Sequence, residues 1–279
     1  MRANTTHKKL KVGLVQINNS FSGQNYFPYS VGLLQAYAQK MSLNPEKYDF
    51  FIPVYSRIPV VQAVDSLKEA DIVGFSTYVW NIRLSLAIAQ ELKRLKPDCL
   101  IVFGGPQVPD RAEAFLRANP FIDVCCHGEG EHVFLDILQA ESRQWKDVGS
   151  ISYLDAQGRF IHNPKISRIQ DLNLIPSPYL EKVFEPLIQE HPEEQWLVMW
   201  ETNRGCPFSC TFCDWGSATA AKVYRFDMER LYQEVDWMAD HHIEFIFCCD
   251  ANFGILPRDL ELTEYVVEKK KTAGYPHAL

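Results

Sequence analysis

Cys206, Cys210 and Cys213 carry the strongest chemical signal in the chain. They lie in the run Arg204-Gly205-Cys206-Pro207-Phe208-Ser209-Cys210-Thr211-Phe212-Cys213-Asp214-Trp215-Gly216, a C-x3-C-x2-C spacing with an aromatic residue before the last cysteine. Thiolates this close on one loop can ligate three irons of a [4Fe–4S] cluster. The fourth iron is then left without a protein ligand, whereas an electron-carrying ferredoxin normally supplies four cysteines per cluster. An open iron points to chemistry at the cluster rather than electron storage. Structural zinc is the alternative, with Cys248 or Cys249 completing four sulfur ligands, but zinc sites usually pair two C-x2-C knuckles. A disulfide framework is a poorer match. Residues 1–11 are polar and basic and lack the apolar core of a signal peptide. Eight cysteines without such a signal fit a reducing cytosol, so a cytoplasmic protein is expected.

The loop must be held by a larger frame, and 279 residues suffice for about two domains. An apolar fraction of 47% with 23% charged residues is ordinary for a globular chain. The net charge of −7, with no basic stripe or Lys/Arg-rich tail, argues against general nucleic-acid binding. No apolar run approaches the ~20 residues that span a bilayer, so no membrane partner is expected.

Apolar runs at 11–17, 48–54, 71–75, 99–103 and 122–126 read as buried strands. Segments with helical spacing at 31–41, 60–70, 82–95 and 111–118, and a helix that follows Glu131 and runs to about Leu138, fall between or after them. This alternation predicts βαβ units and a parallel sheet; five strands match a flavodoxin-like, Rossmann-type domain, whose strand order is not written in the sequence. Ligands of such sheets bind outside the carboxyl ends of the strands. The unusual residues fall there: Ser76-Thr77-Tyr78, Gly104-Gly105 and Gly128-Glu129-Gly130. Each glycine is either a tight strand-to-helix turn or a place where backbone approaches a ligand closely.

Residues 150–153 and 159–162 flank Asp155-Ala156-Gln157-Gly158 and read as a β-hairpin. Prolines at 176 and 178 then forbid regular helix or a central strand. The expected organisation is a first α/β domain at 1–148, a hairpin and linker at 149–194 with an acidic solvated stretch at 185–194, and a second domain from 195 to 279. In the second domain a strand at 196–202 leads into the cysteine loop. A helix at 226–239, a strand at 243–249 ending in Asp250-Ala251-Asn252, and a helix at 260–271 follow. Two β/α units are the start of a (β/α) barrel, whose ligands also sit at the carboxyl ends of the strands. Cys248 and Cys249 read as packing residues.

The cysteine run resembles the signature of radical S-adenosylmethionine enzymes. Gly74-Phe75-Ser76, Trp80-Asn81, Gly104-Gly105-Pro106 and Gly128-Glu129-Gly130-Glu131 are similar to the cobalamin-binding domain upstream of many such enzymes. Together the two likenesses cover nearly the whole chain. The resemblance implies three cofactors: a [4Fe–4S] cluster on Cys206, Cys210 and Cys213, S-adenosylmethionine on its open iron, and cobalamin. Cobalamin would lie against Ser76, Thr77, Gly104, Gly105, Gly128, Glu129 and Gly130, and S-adenosylmethionine near Phe212, Asp250 and Asn252. Asp250 and Asn252 also fit the plainer role of shaping their turn. One departure stands out: the D-x-H-x-x-G run of many cobalamin domains is absent. The loop after the first strand offers Asn18, Asn19, Ser20 and Tyr26 but no histidine, and His127 reads as an ordinary loop residue. The resemblance therefore points to the branch in which no protein histidine ligates cobalt. Family members have about six β/α units in the second domain, so this sequence is expected to be the front part of a longer polypeptide.

The implied activity is C-methylation of an unactivated carbon in a peptide natural product or small metabolite. One S-adenosylmethionine would methylate cobalt, and a second would supply the radical. Such an enzyme needs an electron donor of flavodoxin or ferredoxin type. Radical cyclisation or rearrangement remains open as a second enzymatic reading. A non-catalytic cobalamin carrier or sensor with a structural metal loop is the rival from another class.

Overall fold

The computed structural model describes residues 9–140, 143–213 and 222–279. In chain order the elements are β1 Leu10–Val15, β2 Asn25–Tyr26, α1 Tyr29–Met41, β3 Tyr48–Phe50, α2 Val60–Leu67, β4 Ile72–Ser76, α3 Ile82–Leu95, β5 Leu100–Gly104, α4 Glu113–Ala118, β6 Val124–Cys126, α5 Gly130–Gln139, β7 Ile151–Leu154 and β8 Phe160–His162. They continue with α6 Glu185–Glu190, β9 Trp196–Trp200, β10 Asn203–Arg204, β11 Tyr224–Arg225, α7 Met228–Asp240, β12 Ile246–Cys248 and α8 Arg258–Ala273. The chain forms two compact units. The first comprises residues 1–18 and 34–167, and the second comprises 19–33 and 168–279.

The first unit is built on a seven-stranded sheet of order β3-β1-β4-β5-β6-β7-β8. The five leading strands are parallel. Counted as parallel strands, their order is 2-1-3-4-5, the flavodoxin-like arrangement, with its switch point between β1 and β4. β4 is buried along its whole length, as expected of a central strand covered on both faces. α3 turns Ser85, Ile88, Ala89 and Leu92 inward, one stripe of a 3.6-residue period. Val15, Val73, Phe75, Ile101 and Phe103 meet them in the core. The hairpin β7–β8, expected in the linker, is part of this sheet: β7 pairs antiparallel to β6 and β8 to β7.

In the second unit, β9 is flanked by β2 and β12, all parallel. The sequence predicts only two strands here. The third comes from the loop after β1, where Asn25 and Tyr26 pair with Trp196 and Leu197. Phe27 anchors that crossing. It is fully buried, stacked on Trp196 at 4.6 Å and on Phe184 at 4.8 Å. The outer edge of β12 is met by the parallel bridge Phe245↔Ala278. The expected linker is packed as well. Ile175, Tyr179, Phe184 and Leu187 are buried, the Tyr179 hydroxyl donates to the Met199 carbonyl at 2.6 Å, and the acidic stretch contains α6. A polar outer face hid an inner face that the aromatic cluster needs.

Candidate functional site: a sheet rim and a cysteine loop

The rim of the first unit is the set of loops leaving β1, β4, β5 and β6. Asn81 ties it together. This fully buried side chain donates to the Ile17 carbonyl at 3.1 Å and the Ser76 carbonyl at 3.0 Å, and accepts from the Tyr78 N–H at 2.7 Å. It thereby bridges the exits of β1 and β4 at the switch point. Thr77 bridges β4 and β5: its N–H and hydroxyl donate to the Gly104 carbonyl at 2.8 and 2.7 Å. Ser76 ends β4 and is buried, and Glu129 is half-buried ahead of α5.

The four glycines expected at this rim divide into two kinds. At Gly105, where φ is +92°, a Cβ would lie 2.7 Å from the Thr77 carbonyl oxygen. At Gly130 it would lie 3.0 Å from Leu34. Packing within the protein accounts for both. A Cβ on Gly104 would make only an ordinary 3.7 Å contact with Cys126, and one on Gly128 would meet nothing within 4 Å. Close packing therefore does not explain Gly104 or Gly128, although the φ of +75° at Gly128 itself favours glycine; both lie at the end of the sheet where ligands of this fold bind.

His127, expected as a plain loop residue, is buried in a hydrogen-bonded chain. Its Nε2 lies 2.7 Å from the Ser152 hydroxyl, which lies 2.8 Å from Nδ1 of His162. Burial, then the neighbouring His162, lowers the pKa of His127. The sequence hid this because Ser152 reaches the rim only through the antiparallel β7.

The second unit positions the cysteine loop at the exit of β9. β10 and β11 pair antiparallel and close its base. Gly205 makes the closure possible. Its φ is +118°, and a Cβ there would come within 2.4 Å of the Lys222 carbonyl oxygen. Arg258 spans the base, donating to the Thr202 carbonyl at 2.7 Å and to the Phe226 carbonyl. Within the loop, the Cys213 N–H donates to the Cys210 carbonyl at 3.1 Å. Cys206 is buried, Cys210 exposed and Cys213 half-buried, all as free thiols. Among the described residues no three His, Cys, Asp or Glu side chains converge at metal-holding distance. The fit to a cluster therefore rests on the donor set, three thiols on one pinned loop. Asp214, Trp215 and Gly216 of the signature run lie outside the described residues.

Asp250 and Asn252, after β12, both face this loop. Asp250 accepts from the Thr202 N–H at 2.7 Å, the Asn203 N–H at 3.1 Å, the Asn203 amide at 2.7 Å and the Thr202 hydroxyl. Burial raises its pKa against these hydrogen bonds, which pull the other way. Its bonds brace the strand exit that launches the loop. The Asn252 amide donates to the Cys206 sulfur at 2.9 Å. Phe212 is 90% exposed. Burial pushes the thiols of Cys248 and Cys249 up, the latter to about 12. Gly205, Arg258 and Asn203 were missed by the sequence reading. Of these only Gly205 had a local signal, a glycine touching the first cysteine.

A flavodoxin-like sheet with an open carboxyl rim, followed by a three-cysteine loop leaving a parallel strand, defines a cofactor-binding α/β protein of two units. Residues 22–138 match the B12 binding domain family. The chain is 39% identical over 263 residues to the cobalamin-dependent radical SAM methyltransferase TokK of Streptomyces tokunonensis, covering 92% of this chain and 39% of that protein. It is 38% identical over 256 residues to the 2-(S-pantetheinyl)-carbapenam-3-carboxylate methyltransferase of Streptantibioticus cattleyicolor, covering 90% of this chain and 37% of that protein. Among solved structures, the cobalamin-dependent S-adenosylmethionine radical enzyme OxsB, with aqua-cobalamin and S-adenosylmethionine bound, superposes with a TM-score of 0.70 at 21% identity. That match covers 94% of this chain and 37% of OxsB, and it speaks to fold alone. The chain belongs to the cobalamin-dependent radical S-adenosylmethionine family and spans about two-fifths of the length of the curated relatives it matches.

Proposed function

We propose that this chain is part of a methyltransferase that places a methyl group on an unactivated carbon of a small natural-product intermediate. The observation that carries the reading is the pairing, in one chain, of a B12-binding domain with a C-x3-C-x2-C loop. The names of the two methyltransferase relatives support methyl transfer over cyclisation, and the carbapenam carboxylate in one name supports a small metabolite over a peptide. When bound, the cluster and S-adenosylmethionine supply a radical that removes hydrogen from carbon, and cobalamin carries the methyl group.

The residues take the following parts in this reading. Cys206, Cys210 and Cys213 hold the cluster. Asn252 orients the Cys206 sulfur by its hydrogen bond. Asp250 keeps Thr202 and Asn203 in place and so aims the loop. Phe212, being exposed, is available to lie against S-adenosylmethionine. Gly104 and Gly128 leave room for cobalamin, while Ser76, Thr77, Gly105, Glu129 and Gly130 shape the rim around it. An electron donor of flavodoxin or ferredoxin type completes the reaction in the cytoplasm. No helix among the described residues is long and apolar enough to cross a membrane.

The test uses the full-length protein, reconstituted anaerobically and given S-adenosylmethionine labelled in the methyl group, a strong reductant and carbapenam carboxylates. Mass spectrometry should find the labelled methyl on carbon together with 5′-deoxyadenosine. Turnover to a cyclised, unmethylated product would replace this reading with the cyclase one.

A further inference from the structure

Asn18 follows β1 on one side of the switch point, where Asn81 binds the neighbouring Ile17 carbonyl and the Ser76 carbonyl across the two strand exits. Its backbone N–H is satisfied by the Tyr55 carbonyl at 2.8 Å. Its side chain is not: Asn18 is only 7% exposed, and its Nδ2 is buried with no hydrogen-bond partner. Buried amides are nearly always paired, because an unpaired one forfeits its bonds to water and gains nothing in return. A chain that folds around such a group carries a cost that an apolar side chain of the same shape would avoid. Ligands of this fold bind in the crevice outside the switch point, and Asn18 leaves β1 beside it.

We infer that Asn18 is a binding residue of the first unit, whose side-chain amide donates a hydrogen bond to an acceptor oxygen of bound cobalamin. The inference rests on the reading of this rim as a cobalamin site. Acceptor oxygens lie on two parts of the cofactor, the amide carbonyls on the corrin edge and the phosphate and ribose of the nucleotide tail. Either meets the demand of a neutral N–H donor.

A structural asparagine and a ligand-facing one respond oppositely to Asn18→Leu. Removing a structural hydrogen bond lowers the melting temperature of the cofactor-free protein. Removing an orphan donor leaves that temperature unchanged or raises it, while weakening the ligand. The experiment titrates the full chain, wild type and variant, with hydroxocobalamin by quenching of tryptophan fluorescence, beside thermal melts without cofactor. Asn18→Leu should raise Kd about tenfold, the loss of one hydrogen bond to a ligand, with no fall in melting temperature. Asn18→Asp keeps the shape, removes the donor and adds a charge, so its Kd should rise further. Dicyanocobinamide, which lacks the nucleotide tail, assigns the acceptor. A persisting effect of Asn18→Leu identifies a corrin amide, and a vanished one identifies the tail. Wild-type Kd in both variants overturns the role of Asn18, as does a lower melting temperature in Asn18→Leu with unchanged Kd in Asn18→Asp. Failure of the wild type itself to bind hydroxocobalamin defeats the cobalamin reading instead.

Discussion

Single residues decide whether the two cofactor regions can form. Gly205 lets the cysteine loop close on itself, since its φ of +118° and the 2.4 Å approach of a Cβ to Lys222 exclude a side chain. Gly205→Ala should therefore lower stability by roughly 1–3 kcal/mol, read by urea denaturation, and should reduce iron uptake although every cysteine remains. Unchanged stability would mean that the loop base closes without this conformation. The rim glycines offer a cleaner comparison. Gly104→Ala adds a methyl group the fold accommodates at 3.7 Å, whereas Gly105→Ala drives one into the Thr77 backbone at 2.7 Å. Gly104→Ala should keep the wild-type melting temperature and bind cobalamin more weakly, while Gly105→Ala should melt earlier. Full cobalamin affinity in Gly104→Ala would remove that residue from the site. At this scale the sequence was legible where chemistry repeats over short spacing, as in the three cysteines. It was silent on Arg258, whose partners Thr202 and Phe226 lie on other elements far along the chain, and on the bond from Asn81 to the distant Ile17 carbonyl.

At the scale of elements, periodicity carried the first unit. α3 spans Ile82–Leu95, the range predicted from spacing, because its buried stripe follows one helical period. β2 could not be read: two polar and aromatic residues make no pattern, and they become a strand only because β9 offers an edge some 170 residues later in the chain. α7 shows how such packing is paid for with a buried charge. Glu234, 1% exposed, accepts from Trp200 at 2.8 Å and from Arg230 at 3.0 Å. Glu234→Gln would leave the Arg230 charge without its partner and should destabilise by about 3–5 kcal/mol, measured by chemical denaturation. A loss below the error of that measurement would show that the Ile175 carbonyl and solvent satisfy Arg230. The hairpin β7–β8 contributes a pH dependence. His127 has a lowered pKa in the fold, so the unfolded chain takes up a proton first as pH falls below the ordinary histidine value of about 6.5. Its share of stability is intact above that pH and is lost as pH falls towards the folded value. His162, Asp110 and Lys165 are the charged groups that act on it. Thermal melts between pH 7.5 and 5.5 (roughly one unit either side of that value) should decline less steeply for His127→Gln than for the wild type. Parallel declines would assign the pH dependence to other groups.

At the scale of the whole molecule, one chain carries both a B12-binding domain and a loop with three thiols. Fold class and cofactors were legible because each half carries a local run of residues, and the pairing of the two is far more specific than either. The division of the chain was less legible. Residues 19–33 belong to the second unit and residues 149–167 to the first, since strand pairing rather than chain order decides membership. The most direct test of the central claim is a metal and cofactor count on the anaerobically reconstituted protein, with electron paramagnetic resonance of the reduced sample. The account predicts about four irons and one cobalamin per chain. The iron should be lost in each of Cys206→Ala, Cys210→Ala and Cys213→Ala, and retained in Cys249→Ala. Zinc in place of iron, or a normal cluster in Cys210→Ala, would contradict it.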